Sequence, residues 1–99
     1  MTKFLLFSSS TCGPCRMMKP AWERVVEKYK KDPEIEFMSF VVDQDNSAMP
    51  YVKKFEIRSV PTFVACDENY DKLESYTGVL SQEWLEEFIF RNIEYEPEL

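Results

Sequence analysis

The apolar positions of the chain follow two periods, and each period predicts a different element. Phe4-Leu5-Leu6-Phe7 is an unbroken apolar run, so residues 3–7 predict a strand buried on both faces and central in a sheet. Met18, Trp22, Val25 or Val26, and Tyr29 then recur at helical spacing, with Lys19, Glu23, Glu27 and Lys30 on the opposite face. This predicts a helix over residues 16–31, ended by Asp32-Pro33 and kinked near Lys19 by Pro20. Residues 35–42 are mostly apolar and predict a second strand, covered from both sides and lying at a sheet edge; a right-handed crossover makes it parallel to the first. The polar stretch 44–47 caps a short helix from about 48 to 55, with Pro50 in its first turn and Met49, Val52 and Phe55 inward. Thr62–Cys66 reads as a third strand, residues 67–71 as a turn, and Lys72–Thr77 as a fourth strand with Leu73 and Tyr76 facing inward. Ser81 caps a last helix with Glu83 in its first turn. Leu80 packs on Leu85, and the apolar stripe is Trp84, Leu85, Phe88 and Ile89. Residues 94–99 are acidic, contain Pro97 and predict a frayed tail.

Strand, helix, strand, helix, strand, strand, helix specifies an α/β fold: a four-stranded mixed sheet flanked by three helices. Ninety-nine residues make one domain, residues 1–99, able to bury about two thirds of its unfolded surface. With 44% apolar residues the core needs no structural metal. A net charge of −6 argues against nucleic acid as a partner, because phosphate recognition needs clustered Lys and Arg. The chain has no histidine, which removes Ser/His and Cys/His hydrolytic chemistry, and three cysteines alone fall short of most zinc sites. No run approaches the ~18 apolar residues of a membrane span, and the apolar stretch after Met1 lacks the basic flank of an export signal. These features predict a cytoplasmic monomer with no membrane partner.

The chemistry is concentrated at Cys12-Gly13-Pro14-Cys15, where the first strand hands over to the first helix. The first N–H groups of a helix have no partner within it, and the dipole places roughly half a positive charge there. A thiolate at Cys12 is favoured by that field; thiols in such positions titrate about 1–5 units below the free value of ~8.5. Cys15 returns to nearly the same side of the helix, close enough to join Cys12 in a disulfide or to attack a mixed disulfide held by it. Pro14 in the first turn loses little by lacking an N–H, Gly13 leaves the nucleophile unshielded, and Thr11 reads as the helix N-cap. A disulfide closing so short a loop adds little stability, so a redox role outweighs a structural one.

The order of these features carries a family resemblance. Cys-Gly-Pro-Cys, then Pro20 five residues after the second cysteine, Val42-Asp43 at a strand end, the run Ile57-Arg58-Ser59-Val60-Pro61-Thr62, and Gly78-Val79-Leu80-Ser81 before a last helix together resemble the thioredoxin family. The resemblance covers nearly the whole chain. It implies a thioredoxin-like fold lacking the usual first strand and helix, and a protein-disulfide oxidoreductase. Cys12 would be the attacking thiolate and Cys15 the resolving thiol, with their disulfide standing in for any cofactor. A cis Val60-Pro61 bond would face the cysteines, and the Val60 backbone, Gly78 and Thr11 would border the substrate. Partners implied are protein disulfides, and a thioredoxin reductase or the glutathione system as electron donor.

Four positions depart from the family pattern. Thr11 stands where most members have Trp before the first cysteine, and Ser8 replaces another Trp. Leu6 takes the place of the buried Asp that receives the resolving thiol's proton, and Ser39 the place of its Lys. Slower turnover than a general reductant is therefore expected. Cys66, on the inward face of the third strand, reads as a small hydrophobe, and Arg16 and Lys19 as cations near the thiolate. Two alternatives remain: a glutaredoxin-like enzyme using glutathione, and a binding module whose cysteines are incidental.

Overall fold

The computed structural model describes residues 1–93; the predicted tail at 94–99 lies outside them. Four strands form one sheet in the order β2-β1-β3-β4: β1 (Thr2–Ser8), β2 (Ile35–Val41), β3 (Thr62–Cys66) and β4 (Lys72–Thr77). β2 runs parallel to β1, while β3 is antiparallel to β1 and β4 to β3. The continuous apolar run thus occupies an interior strand and the 35–41 strand an edge, as the pattern of burial predicts.

Side chains alternate across the two interior strands, and each face receives its own helices. Phe4 and Leu6 of β1 and Phe63 and Ala65 of β3 pack on one face with Met18, Trp22 and Val25 of α1 (Gly13–Tyr29) and Leu85, Phe88 and Ile89 of α3 (Gln82–Asn92). Leu5, Phe7, Val64 and Cys66 point the other way, against Phe40, Ala48 and Phe55. Ala48 closes a one-turn 3-10 helix that runs into α2 (Met49–Lys54), where Pro50 falls in the first turn. Helices α1 and α3 are tied outside the core by Glu86, which accepts from Lys28 Nζ at 2.6 Å and from the Tyr29 hydroxyl at 2.9 Å.

Several expectations need correction. Helix α1 runs from Gly13, with Pro14 in its first turn as expected and Pro20 inside it, and ends at Tyr29, two residues short of the predicted end. Its N-cap is Cys12 and not Thr11. Leu73 and Tyr76 are exposed, because β4 is an edge strand that α3 covers only in part. Met49 is exposed at the start of α2, leaving Phe55 as the buried anchor of that segment. Trp84 is 63% exposed: α3 buries Leu85, Phe88 and Ile89, and Trp84 falls on the flank of that stripe. β2 is less covered than its composition suggests, with Ser39 exposed and its middle residues half-buried.

Candidate active site

The site is built by three chain segments that meet at the amino end of α1. Ser9 accepts the Cys12 N–H through its carbonyl at 3.4 Å, closing the turn that leaves β1, and the Cys12 carbonyl accepts the Arg16 N–H at 3.4 Å to begin the helix. Ser10 donates from its N–H at 2.9 Å and from its hydroxyl to the two carboxylate oxygens of Asp43, which pins the loop to the end of β2. Those bonds hold the Asp43 carboxyl below the usual carboxylate range.

Cys12 and Cys15 are joined in a disulfide, with Cα atoms 5.2 Å apart. Sγ of Cys12 accepts the backbone N–H of Cys15 at 3.1 Å, so the sulfur itself performs the capping that Ser, Thr, Asp or Asn usually performs. Cys12 is half-buried and Cys15 is 7% exposed. Gly13 and Pro14 are exposed, and no atom lies within 4 Å of where a Gly13 Cβ would stand. One sulfur is approachable and the other sheltered.

The second segment is the loop before β3. The Val60-Pro61 peptide bond is cis, and the Val60 carbonyl oxygen lies 3.7 Å from Cys12 Sγ, a separation at which a protonated Cys12 thiol donates an S–H···O bond. Thr62 anchors this loop from below. Its buried hydroxyl donates to the Ser59 carbonyl at 2.7 Å and lies 3.0 Å from the Thr77 hydroxyl. The third segment, Gly78 to Leu80, joins through the Gly78 N–H, which donates to the Pro61 carbonyl at 2.9 Å. Gly78 has φ +129°, a conformation that side-chain-bearing residues rarely adopt, and the Tyr76 ring lies 3.5 Å from the place its Cβ would take. Leu80 donates its N–H to Met18 Sδ at 3.0 Å, fastening this segment to α1.

Cys12, Cys15, Val60, Pro61 and Gly78 are therefore brought together, with Gly13, Pro14 and Thr11 on the exposed rim. Sequence reasoning missed what lies behind Cys15. A cleft of about 460 Å³ opens there, lined by Leu6, Ser8, Cys15, Trp22 and Ser39, with Arg16, Lys19 and Glu23 toward solvent. Leu6 and Ser39 are direct partners in the β1–β2 register, and with Ser8 three of the four departures from the family pattern fall on this cleft. The remaining thiol, Cys66, is fully buried on the other face of the sheet and its burial pushes the pKa up to about 11. It takes no part in the site. Among the described residues no group of three or more His, Cys, Asp and Glu side chains is arranged to hold a metal ion, and no helix is long and apolar enough to cross a membrane.

Comparison with known proteins agrees with this geometry. The family model described as Thioredoxin matches residues 2–91. The chain is 35% identical over 83 residues to thioredoxin from Ophiophagus hannah, covering 84% of this chain and 71% of that one. It is 39% identical over 59 residues to thioredoxin H2 from Arabidopsis thaliana, covering 59% of this chain and 39% of that protein. Among solved structures, that of Fasciola hepatica thioredoxin superposes with a TM-score of 0.75 at 28% identity, covering 92% of this chain and 80% of the other.

Proposed function

The chain belongs to the thioredoxin family and is a thiol–disulfide oxidoreductase; from that premise we propose that it works as a protein-disulfide reductase, with Cys12 as nucleophile and Cys15 as resolving thiol. The observation that carries this reading is the 3.1 Å hydrogen bond from the Cys15 N–H to Cys12 Sγ. In the reduced protein the same N–H and the helix amino end stabilise Cys12 as a thiolate, while Cys15 stays sheltered as a thiol.

The reaction balances as follows. The Cys12 thiolate attacks one sulfur of a substrate disulfide, forming a Cys12–substrate mixed disulfide and expelling a substrate thiolate, which takes a proton from solvent. Cys15 then loses its proton and attacks Cys12 Sγ. That second attack breaks the mixed disulfide, forms the Cys12–Cys15 bond and releases the second substrate thiol, so two electrons and two protons reach the substrate. A thioredoxin reductase dithiol, or two glutathione molecules acting in turn through a mixed disulfide at Cys12, restores the two cysteines by the reverse exchange. The thiol pair supplies the whole redox chemistry without an added cofactor.

Substrate approach is governed by Val60, Pro61 and Gly78. The Val60 carbonyl faces Cys12 at 3.7 Å, so an extended peptide carrying the target cystine can pair with this backbone as it would with a strand edge. Exposed Thr11 borders the same opening. Proton loss from Cys15 runs through the cleft behind it, where Leu6 offers no base and the acceptor is water or the one carboxylate among the described lining residues, Glu23 toward solvent. The test is reduction of insulin with dithiothreitol as electron source: the wild-type protein should accelerate precipitation of the freed chain. Failure with Cys12 and Cys15 fully reduced would reject the reading.

A further inference from the structure

Beyond the opening over Cys12, the surface carries a second feature that its chemistry does not require. Trp84 is 63% exposed, Val79 43% and Tyr76 40%. With Leu80, Phe88 and Arg91 they line a groove of about 280 Å³ between the β4 edge and α3. Aromatic surface left open on a chain of this size needs an explanation, since such patches mark binding sites.

The groove adjoins the disulfide site through Gly78. Pro61 accepts the Gly78 N–H, the Tyr76 ring packs beside Gly78, and Tyr76 and Val79 form the near wall. A chain that passes Val60 and Gly78 therefore reaches this wall without leaving the surface. The groove also declares what it can hold. Among the described residues Arg91 is the only charged residue lining it, and its guanidinium already bonds Glu74, from Nε at 2.8 Å and from Nη2 to the second oxygen. Asn92 Nδ2 donates to the same carboxylate at 2.8 Å. The Arg91 charge is thus already balanced by Glu74, and a flat apolar side chain entering the groove meets Trp84, Tyr76 and Phe88.

We propose that the Tyr76–Val79–Trp84 groove is a specificity subsite that receives an aromatic or bulky apolar side chain of the disulfide-bearing polypeptide, a few residues along the chain from the cystine that Cys12 attacks. The proposal rests on the reading of the chain as a protein-disulfide reductase. It makes Trp84 and Tyr76 selectors of which cystines are reduced, outside the cysteine chemistry.

The test uses the full chain and synthetic peptide disulfides that carry Phe at successive positions two to six residues from the cysteine, each paired with its Ala counterpart. In wild type one spacing should raise kcat/KM about tenfold over Ala, through KM, the scale of a single buried aromatic anchor. Trp84→Ala should reduce that advantage to less than about twofold, Trp84→Phe should restore part of it, and Tyr76→Ala should act in the same direction. Reduction of 2-hydroxyethyl disulfide, which has no polypeptide to place in the groove, should be unchanged in all three variants. A wild type that prefers no Phe peptide, or a Trp84→Ala variant that keeps the preference, overturns the proposal while leaving the reductase reading intact. Failure of the wild type to reduce insulin with dithiothreitol would instead overturn the reductase reading. Trp84-dependent self-association, or a rate gain on removing residues 94–99, would assign the groove to a second copy or to the chain's own end and equally overturn it.

Discussion

The backbone N–H of Cys15 points at the sulfur of Cys12 from 3.1 Å, so the amide of one cysteine serves the sulfur of the other. The two cysteines are thus unequal before any substrate arrives, and their replacements should fail differently. Cys12→Ser should abolish turnover of protein disulfides by at least about a thousandfold, since no other thiol faces the opening. Cys15→Ser should still attack once and then stall as a one-to-one mixed disulfide through Cys12, seen as a mass adduct that dithiothreitol removes. Adduct formation at equal rates through either cysteine would contradict the assignment.

A second prediction concerns Leu6, which is buried beside Cys15 in the cleft shared with Ser39. An acid at this position can accept the Cys15 proton, and positioned proton transfer contributes about 10²–10⁴-fold in favourable cases. Leu6→Asp should therefore speed resolution of a preformed Cys12 mixed disulfide at neutral pH, by at least about tenfold, as followed by rapid-quench product release. The same substitution should lower stability by several kcal/mol, because a carboxyl replaces a core side chain. The sign of its pH dependence is fixed by burial: the folded carboxyl titrates above the unfolded one, so the deficit grows as pH rises through that interval. Unchanged resolution in a folded variant would show that proton loss from Cys15 does not limit this step.

Gly78 separates conformational strain from steric conflict. A Cβ there would meet the Tyr76 ring at 3.5 Å, an ordinary contact, yet φ is +129°. Gly78→Ala should cost about 1–3 kcal/mol through the backbone alone, measured by denaturant unfolding of the oxidised protein. Removing the ring as well, in Tyr76→Ala with Gly78→Ala, should recover none of that loss. Recovery would place the cause in the ring contact.

These features differ in how far they could be read before the fold was in view. β3 and β4 have the predicted limits because short runs bounded by a proline, a turn and a glycine leave little freedom. The interior place of β1 follows from four consecutive apolar residues, which only a strand covered on both faces can bury. The exposure of Tyr76, Leu73, Met49 and Trp84 is not legible in the sequence, because periodicity says which residues share a face and is silent on whether another element covers that face. Cys12 as N-cap escaped notice because sulfur is not among the usual capping groups, and Thr11 before it is. The cleft behind Cys15 depends on how α1 settles over the paired Leu6 and Ser39, which no local pattern encodes.

Cys66 supplies a pH test of the core that is independent of the redox site. Its thiol is fully buried among Leu5, Phe7 and Val64, and burial raises its pKa to about 11, above the ~8.5 of an exposed thiol. A raised folded pKa favours the protonated form in the native state. The associated stability is therefore complete below about pH 8.5 and is lost progressively as pH rises toward 11, where the unfolded chain gains by ionising and the folded chain does not. With about 1.4 kcal/mol for each unit of difference, the loss is of the order of 3–4 kcal/mol. Cys66→Ala should remove this part of the alkaline decline while lowering stability at neutral pH by about 1 kcal/mol for the lost sulfur contacts. In the reduced wild type at pH 8, iodoacetamide should modify Cys12 first and leave Cys66 untouched until denaturant is added, as mass spectrometry of the digested protein would report. Early labelling of Cys66 in the native protein would mean that the lower half of the core opens on its own, and the alkaline loss would then have to be assigned to that opening.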